Sequence, residues 1–156
     1  MCLSKSGTGI LYILFVSFLV GQDFFVGKEK STIIKFYSDA PLEKIEATNN
    51  SAIPVVNMKT GEIFVKVKMR DFHFANKLME EHFNEEYVES EKYPYATFKG
   101  KLDTLISFED GREIEVSVTG KMTIHGVTRD IKVKGTVKKD GNEYIIHSVF
   151  RLKPAD

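Results

Sequence analysis

From Ser31 onward, apolar and polar residues alternate along most of the chain. Thr32, Ile34 and Phe36 share one side of a run, with Lys35 and Tyr37 on the other. Ile63, Val65, Val67 and Met69 oppose Phe64, Lys66 and Lys68. The longest run sets Ile114, Val116, Val118, Met122 and Ile124 against Glu113, Glu115, Ser117, Thr119, Lys121 and Thr123. Ile131, Val133 and Val137 continue the pattern against Lys132, Lys134, Thr136 and Lys138. A period of two with one wet face predicts antiparallel strands. Turn residues fall between the runs, at Lys59-Thr60-Gly61, Asp110-Gly111, His125-Gly126 and Asp140-Gly141. Such pairs supply the positive φ angles of tight hairpins.

One stretch departs from this period. In Phe74 to Glu86, the residues Phe74, Leu78, Met79, His82 and Phe83 recur at helical spacing, with glutamates between them. A short helix on a long connection is predicted, its apolar face against the sheet. Seven or eight strands are too many for an uncovered sheet unless it closes or doubles over. The expectation is an all-β (mainly) fold, an antiparallel β-barrel of about eight strands with one short helix. The last run, Tyr144 to Leu152, is followed by four residues only. A closed barrel would then want a further strand, and an open edge would favour pairing into a dimer.

The N-terminal segment has another character. Lys5 stands in a polar start, Ile10 to Val20 carry no charge, and Gly21 precedes Gln22 and Asp23. This is the layout of a secretory signal peptide over residues 1–21, with an uncleaved anchor or a buried strand as the alternative. Its apolar core is shorter than the about 20 residues a membrane span needs. Without it, the lone cysteine, Cys2, is gone, so disulfides and thiolate metal sites are excluded. Basic and acidic residues number 22 each, which gives no field that would recruit nucleic acid.

Two segments carry a family resemblance. Gly120 to Asp130, G-K-M-T-I-H-G-V-T-R-D, resembles the G-x-L-T-x-H-G-V-T strand–turn–strand signature of YceI-like proteins. Ser90 to Phe98, S-E-K-Y-P-Y-A-T-F, resembles their Y-P-x-A-x-F segment and its approach, with Ser90 where Asp is usual. Ala40 to Thr48 resembles a branch common in Bacteroidetes-like bacteria. The resemblance implies a lipocalin-like barrel over residues 22–156, lacking its last strand or strands, exported to the periplasm. It further implies a tunnel for a polyisoprenoid, such as a prenyl quinone or prenyl pyrophosphate, or for a fatty-acid-like lipid.

The candidate ligand wall follows from inward alternation: Phe36, Val65, Val67, Met69, Phe98, Val116, Val118 and Met122. Phe72, Phe74, Leu78, Met79 and Phe83 join it from the helix and its flanking loops. The same residues would equally fill a packed core, leaving a ligand-free envelope domain that binds proteins or serves structure. His125 and Arg129 are candidates for contact with a head group. His125 also begins a turn, where its side chain would instead bond to backbone and fix the hairpin. His73, His82 and His147 lie on separate runs without zinc-site spacing, so no metal is expected. Nothing resembles a nucleophile elbow or a phosphate-binding loop, and no enzyme activity or cofactor is predicted.

Overall fold

The two longest runs become the longest hairpin. β9 (Glu113–Ile124) and β10 (Val127–Asp140) pair antiparallel from Val127 opposite Ile124 to Lys138 opposite Glu113. His125 and Gly126 join them, with φ of 52° and 71°. Positive φ at both central residues is the type I′ turn that matches the twist of the strands. β11 (Glu143–Arg151) returns along β10 after the turn at Gly141.

The computed structural model describes residues 2–4, 24–27, 30–39 and 44–152. The remaining strands are β1 (Cys2–Ser4), β2 (Phe24–Val26), β3 (Ile34–Asp39), β4 (Lys44–Asn49), β5 (Ile53–Asn57), β6 (Glu62–Lys68), β7 (His73–Phe74) and β8 (Tyr95–Leu102). Their order in the sheet is β2-β5-β6-β8-β9-β10-β11-β1-β3-β4-β7. All pairings are antiparallel except those of β1, which runs parallel to both β11 and β3. Apart from β1, the predicted leader lies outside the described residues, as does residue 40 to residue 43 of the branch motif.

The fold is mainly β, as expected, but the sheet curls into a half-barrel rather than a closed one. Its concave face holds the core, in which Ile34, Val65, Val67, Phe72, Phe98 and Met122 are buried. The curl is tight where Gly100 and Gly120 face each other across β8 and β9. A Cβ on Gly120 would lie 2.3 Å from the Lys99 carbonyl oxygen. Only bare backbone lets the two strands approach that closely.

Two local predictions are corrected. Asp110-Gly111 is not a tight hairpin but the end of a loop from Asp103 to Arg112. That loop is held by the neighbouring hairpin: Asp110 Oδ1 accepts from the Gly141 amide at 2.6 Å, and the Gly111 amide donates to Lys139 at 2.8 Å. Phe74 belongs to β7, paired with Ala47 of β4, and not to the helix. The helix α1 (Lys77–His82) starts later because Asn76 caps it, its Oδ1 accepting from the amides of Leu78 and Met79. It runs on into a wider turn over Phe83–Tyr87.

Candidate functional site

The inward row Val116–Gly135–Ser148 crosses β9, β10 and β11 with small side chains only. Large residues surround it: Phe98 and Leu102 on β8, Ile146 and Phe150 on β11. The row therefore leaves a cavity of about 90 Å³ on the concave face. Its surface is almost wholly apolar; Ser148, the polar residue in the row, spends its hydroxyl on the Lys134 carbonyl at 2.7 Å.

Three rings close one end of the cavity. Tyr144 meets Phe25 of β2 edge-on at 5.0 Å and Phe108 of the Asp103–Arg112 loop at 5.7 Å. Burial raises the Tyr144 hydroxyl above its ordinary pKa of 10.0. Beyond the other end of the sheet lies a second, packed aromatic group. Phe83 contacts Phe36, Phe72 and Phe74, with centroids 6.2, 5.8 and 4.9 Å away. Glu80 fastens the helix there by accepting from the Phe74 amide at 3.0 Å. That hydrogen bond, with help from Lys77, holds the Glu80 carboxyl below its ordinary range.

The candidate wall residues thus divide into groups. Val65, Phe98, Val116 and Val118 line the cavity. Val67, Met69, Phe72, Phe74 and Met122 are buried in the core away from it, with Phe36, Met79 and Phe83 packed against them. Leu78 is 59% exposed and faces solvent. Residues that alternation alone did not single out complete the lining, notably Phe25, Met58, Phe108, Tyr144 and Phe150. The period-two signal was present at Tyr144 to Phe150; Phe25 and Phe108 sit in segments with no such period.

His125 stands apart from the cavity. It lies seven residues of extended strand beyond Val118, about 24 Å away. Its side chain does not bond to the hairpin backbone, as one reading had it. Nε2 pairs with the Glu89 carboxylate, and Tyr93 packs edge-on against the ring at 4.7 Å. The hydrogen bond from His125 holds the Glu89 carboxyl below its ordinary range. Glu89 also has positive φ, 42°, so two residues in the left-handed region meet here. They pin the Ser90–Phe98 segment to the β9–β10 hairpin. Arg129 pairs with Met122 across the strands, on the concave side of β10, four residues before Val133. Among the described residues no three His, Cys, Asp or Glu gather as metal ligands. None of the helices among them is long and apolar enough to cross a membrane.

A family model described as the YceI-like domain matches residues 25–156. The chain belongs to this family. A UPF0312 protein of Pseudomonas savastanoi pv. phaseolicola is 31% identical over 88 residues, 56% of this chain and 39% of its own length. A UPF0312 protein of Pseudomonas fluorescens is 26% identical over 132 residues, 83% of this chain and 60% of that protein. The chain thus spans well under two thirds of these relatives. A polyisoprenoid-binding domain from Saccharophagus degradans, implicated in plant cell wall breakdown, has the same fold. It superposes with a TM-score of 0.59 over 92% of this chain and 97% of that domain, at 10% identity.

Proposed function

We propose that this YceI-like chain binds a long apolar amphiphile, a polyisoprenoid or a fatty-acid-like lipid, along its concave face, and carries or sequesters it in the periplasm. The observation behind this reading is the apolar lining over Val116–Gly135–Ser148. A hydrocarbon needs no polar partner along its length. The solved Saccharophagus degradans domain of the same fold is itself described as polyisoprenoid-binding. The proposal requires no catalytic residue and no cofactor.

Magnitudes decide how the guest lies. Each buried carbon contributes about 0.8 kcal/mol, so one five-carbon unit contributes about 4 kcal/mol, the free energy of a millimolar complex. Two units are needed for micromolar binding before association costs are counted. The cavity of about 90 Å³ is smaller than the roughly 150 Å³ apolar cavity that takes one benzene. The chain must therefore extend beyond the cavity, or the Phe25–Tyr144–Phe108 rings must swing aside. Along the concave face of β10 the next cation is Arg129, about 13 Å from Val133, which suits an anionic or carbonyl head group such as that of a prenyl pyrophosphate or prenyl quinone. His125, engaged by Glu89, is a clamp on the hairpin in this reading. The same small volume favours the alternative, a ligand-free envelope domain with a packed interior.

The test is native mass spectrometry of protein taken from its own host, followed by lipid extraction and titration with a prenyl quinone. A co-purifying lipid and saturable quinone binding are expected. A bare mass together with no saturable binding would leave the packed-domain reading standing.

A further inference from the structure

The convex face of the sheet also carries an apolar surface, and its surroundings differ from those of the cavity. Val26, Val55 and Phe64 form one cross-strand row over β2, β5 and β6, which continues into Lys99 and Lys121 on β8 and β9. Phe24 and Val26 are 53% and 50% exposed, and Ile53 beside them is 45% exposed. A groove of about 550 Å³ runs over this face between Phe24 and Lys121. Two lysines on this face hold their ammonium groups over rings: Lys66 Nζ is 3.9 Å from the Tyr95 ring centre and Lys99 Nζ 5.7 Å from that of Phe64. Three lysines, Lys99, Lys101 and Lys121, line the groove with two carboxylates, Glu62 and Asp130. Asp130 is paired with Lys121 at 2.7 Å, and Glu62 accepts from the Thr60 hydroxyl at 2.8 Å. Four glutamates, Glu80, Glu81, Glu85 and Glu86, gather instead on the helical segment, and Glu113 and Glu115 lie further along β9 from Lys121.

We propose that this convex face of β2, β5, β6 and β8 docks on an anionic lipid bilayer, with Phe24, Val26 and Ile53 entering the interface and the lysines meeting phosphate. An apolar centre bordered by lysines suits the boundary between acyl chains and head groups, where long basic side chains reach from apolar surface to phosphate. The segregated charge orients the chain, because the glutamate-bearing helix turns away from a negative surface. β2 links the face to the interior. Among the described residues it pairs only with β5, through three residues, and Phe25 between Phe24 and Val26 points inward to close the cavity against Tyr144. Docking through Phe24 and Val26 thus loads a strand whose displacement would open the cavity. That last link rests on the proposed lipid guest; the docking itself does not.

Vesicle sedimentation tests this, comparing pure phosphatidylcholine with an equal mixture of phosphatidylcholine and phosphatidylglycerol. The same preparation route serves every variant, so any contribution of residues 1–21 is common to all. The chain is expected to partition to the mixed vesicles more strongly than to the neutral ones, and less so at high salt. Lys99→Gln with Lys101→Gln should weaken that partition about thirtyfold, at about a factor of five per lysine. Phe24→Ser should weaken it as well, and both variants should keep the wild-type melting temperature and quinone affinity. Equal partition to the two vesicle types, or an unchanged partition in the lysine variant, overturns the docking surface. A dimer in sedimentation velocity that these substitutions dissolve also overturns it and gives the face to a second copy. A wild type that sediments with vesicles yet carries no co-purified lipid and binds no quinone refutes the proposed guest and leaves the docking surface intact.

Discussion

Substituting Val116 by Phe asks whether the space over Gly135 is real. Val116 is buried, lines the cavity and stands directly opposite Gly135, where β11 comes so close that an added Cβ would lie 2.5 Å from the His147 carbonyl oxygen. In a filled interior the added ring would force neighbours off their rotamers, at about 1–3 kcal/mol. Over a cavity of about 90 Å³ it has somewhere to go, and a change below about 1 kcal/mol is expected. One kcal/mol corresponds to about 3 °C in melting temperature for a domain of this size. Val67→Phe is the matched control. Val67 is equally buried in the core but does not line the cavity, so that variant should lose about 3–9 °C. The assay is thermal unfolding by circular dichroism, with quinone titration on the same samples. Val116→Phe takes the place of about one isoprene unit, which lowers affinity about a thousandfold. A fall in melting temperature matching that of Val67→Phe would refute the void. Unchanged affinity in a folded Val116→Phe variant would move the guest elsewhere.

Other substitutions probe what shapes and closes the half-barrel. Gly120→Ala should cost about 3 kcal/mol, seen as a lower urea midpoint, because its Cβ would strike the backbone of Lys99 and Gly100. Gly141→Ala meets no atom within 4 Å and should cost only the about 1 kcal/mol of a left-handed backbone at φ 60°. Phe83→Ala, which empties the centre of the Phe36–Phe72–Phe74 group, should cost about 3 kcal/mol by the same measurement. Glu89 gives a pH signature. Its folded pKa lies below the ordinary 4.5, so its stabilising pair with His125 is present above that value and lost as pH falls through the folded pKa. A carboxylate NMR titration should find Glu89 below 4.5, moving back up in His125→Gln; no movement would show that His125 is not the cause.

The strands were legible because one face of each is wet. Glu113 to Ile124 alternates without a break, and His125-Gly126 has the chemistry of a type I′ turn, which the observed φ angles carry out. Asp110-Gly111 has the same local chemistry and a different outcome. Its aspartate is engaged by the Gly141 amide, thirty-one residues on, and no local signal reports such a partner. The start of the helix went astray for a similar reason. Phe74 fits the helical period, but pairing with Ala47 and the cap at Asn76 keep it in a strand. Closure could not be read from alternation either. The period shows which side chains face inward, whereas curvature depends on where two glycines oppose each other, and Gly100 and Gly120 do so only through the register of β8 and β9.

The same distinction governs the site. Alternation ranks inward residues by hydrophobicity, so it favours large ones such as Phe36, Met69 and Met122, and these fill space. A cavity forms where inward residues are small and aligned across strands. Gly135 and Ser148 are unremarkable within their own runs, and Val116 is one of several inward valines. They become the floor of a site only because register stacks them in one row between Phe98, Phe150 and the Phe25–Tyr144–Phe108 rings. Under the proposed function, what selects a guest in this half-barrel is the placement of its smallest inward side chains. A relative with a larger residue in place of Val116 or Ser148 should then hold a shorter chain or none.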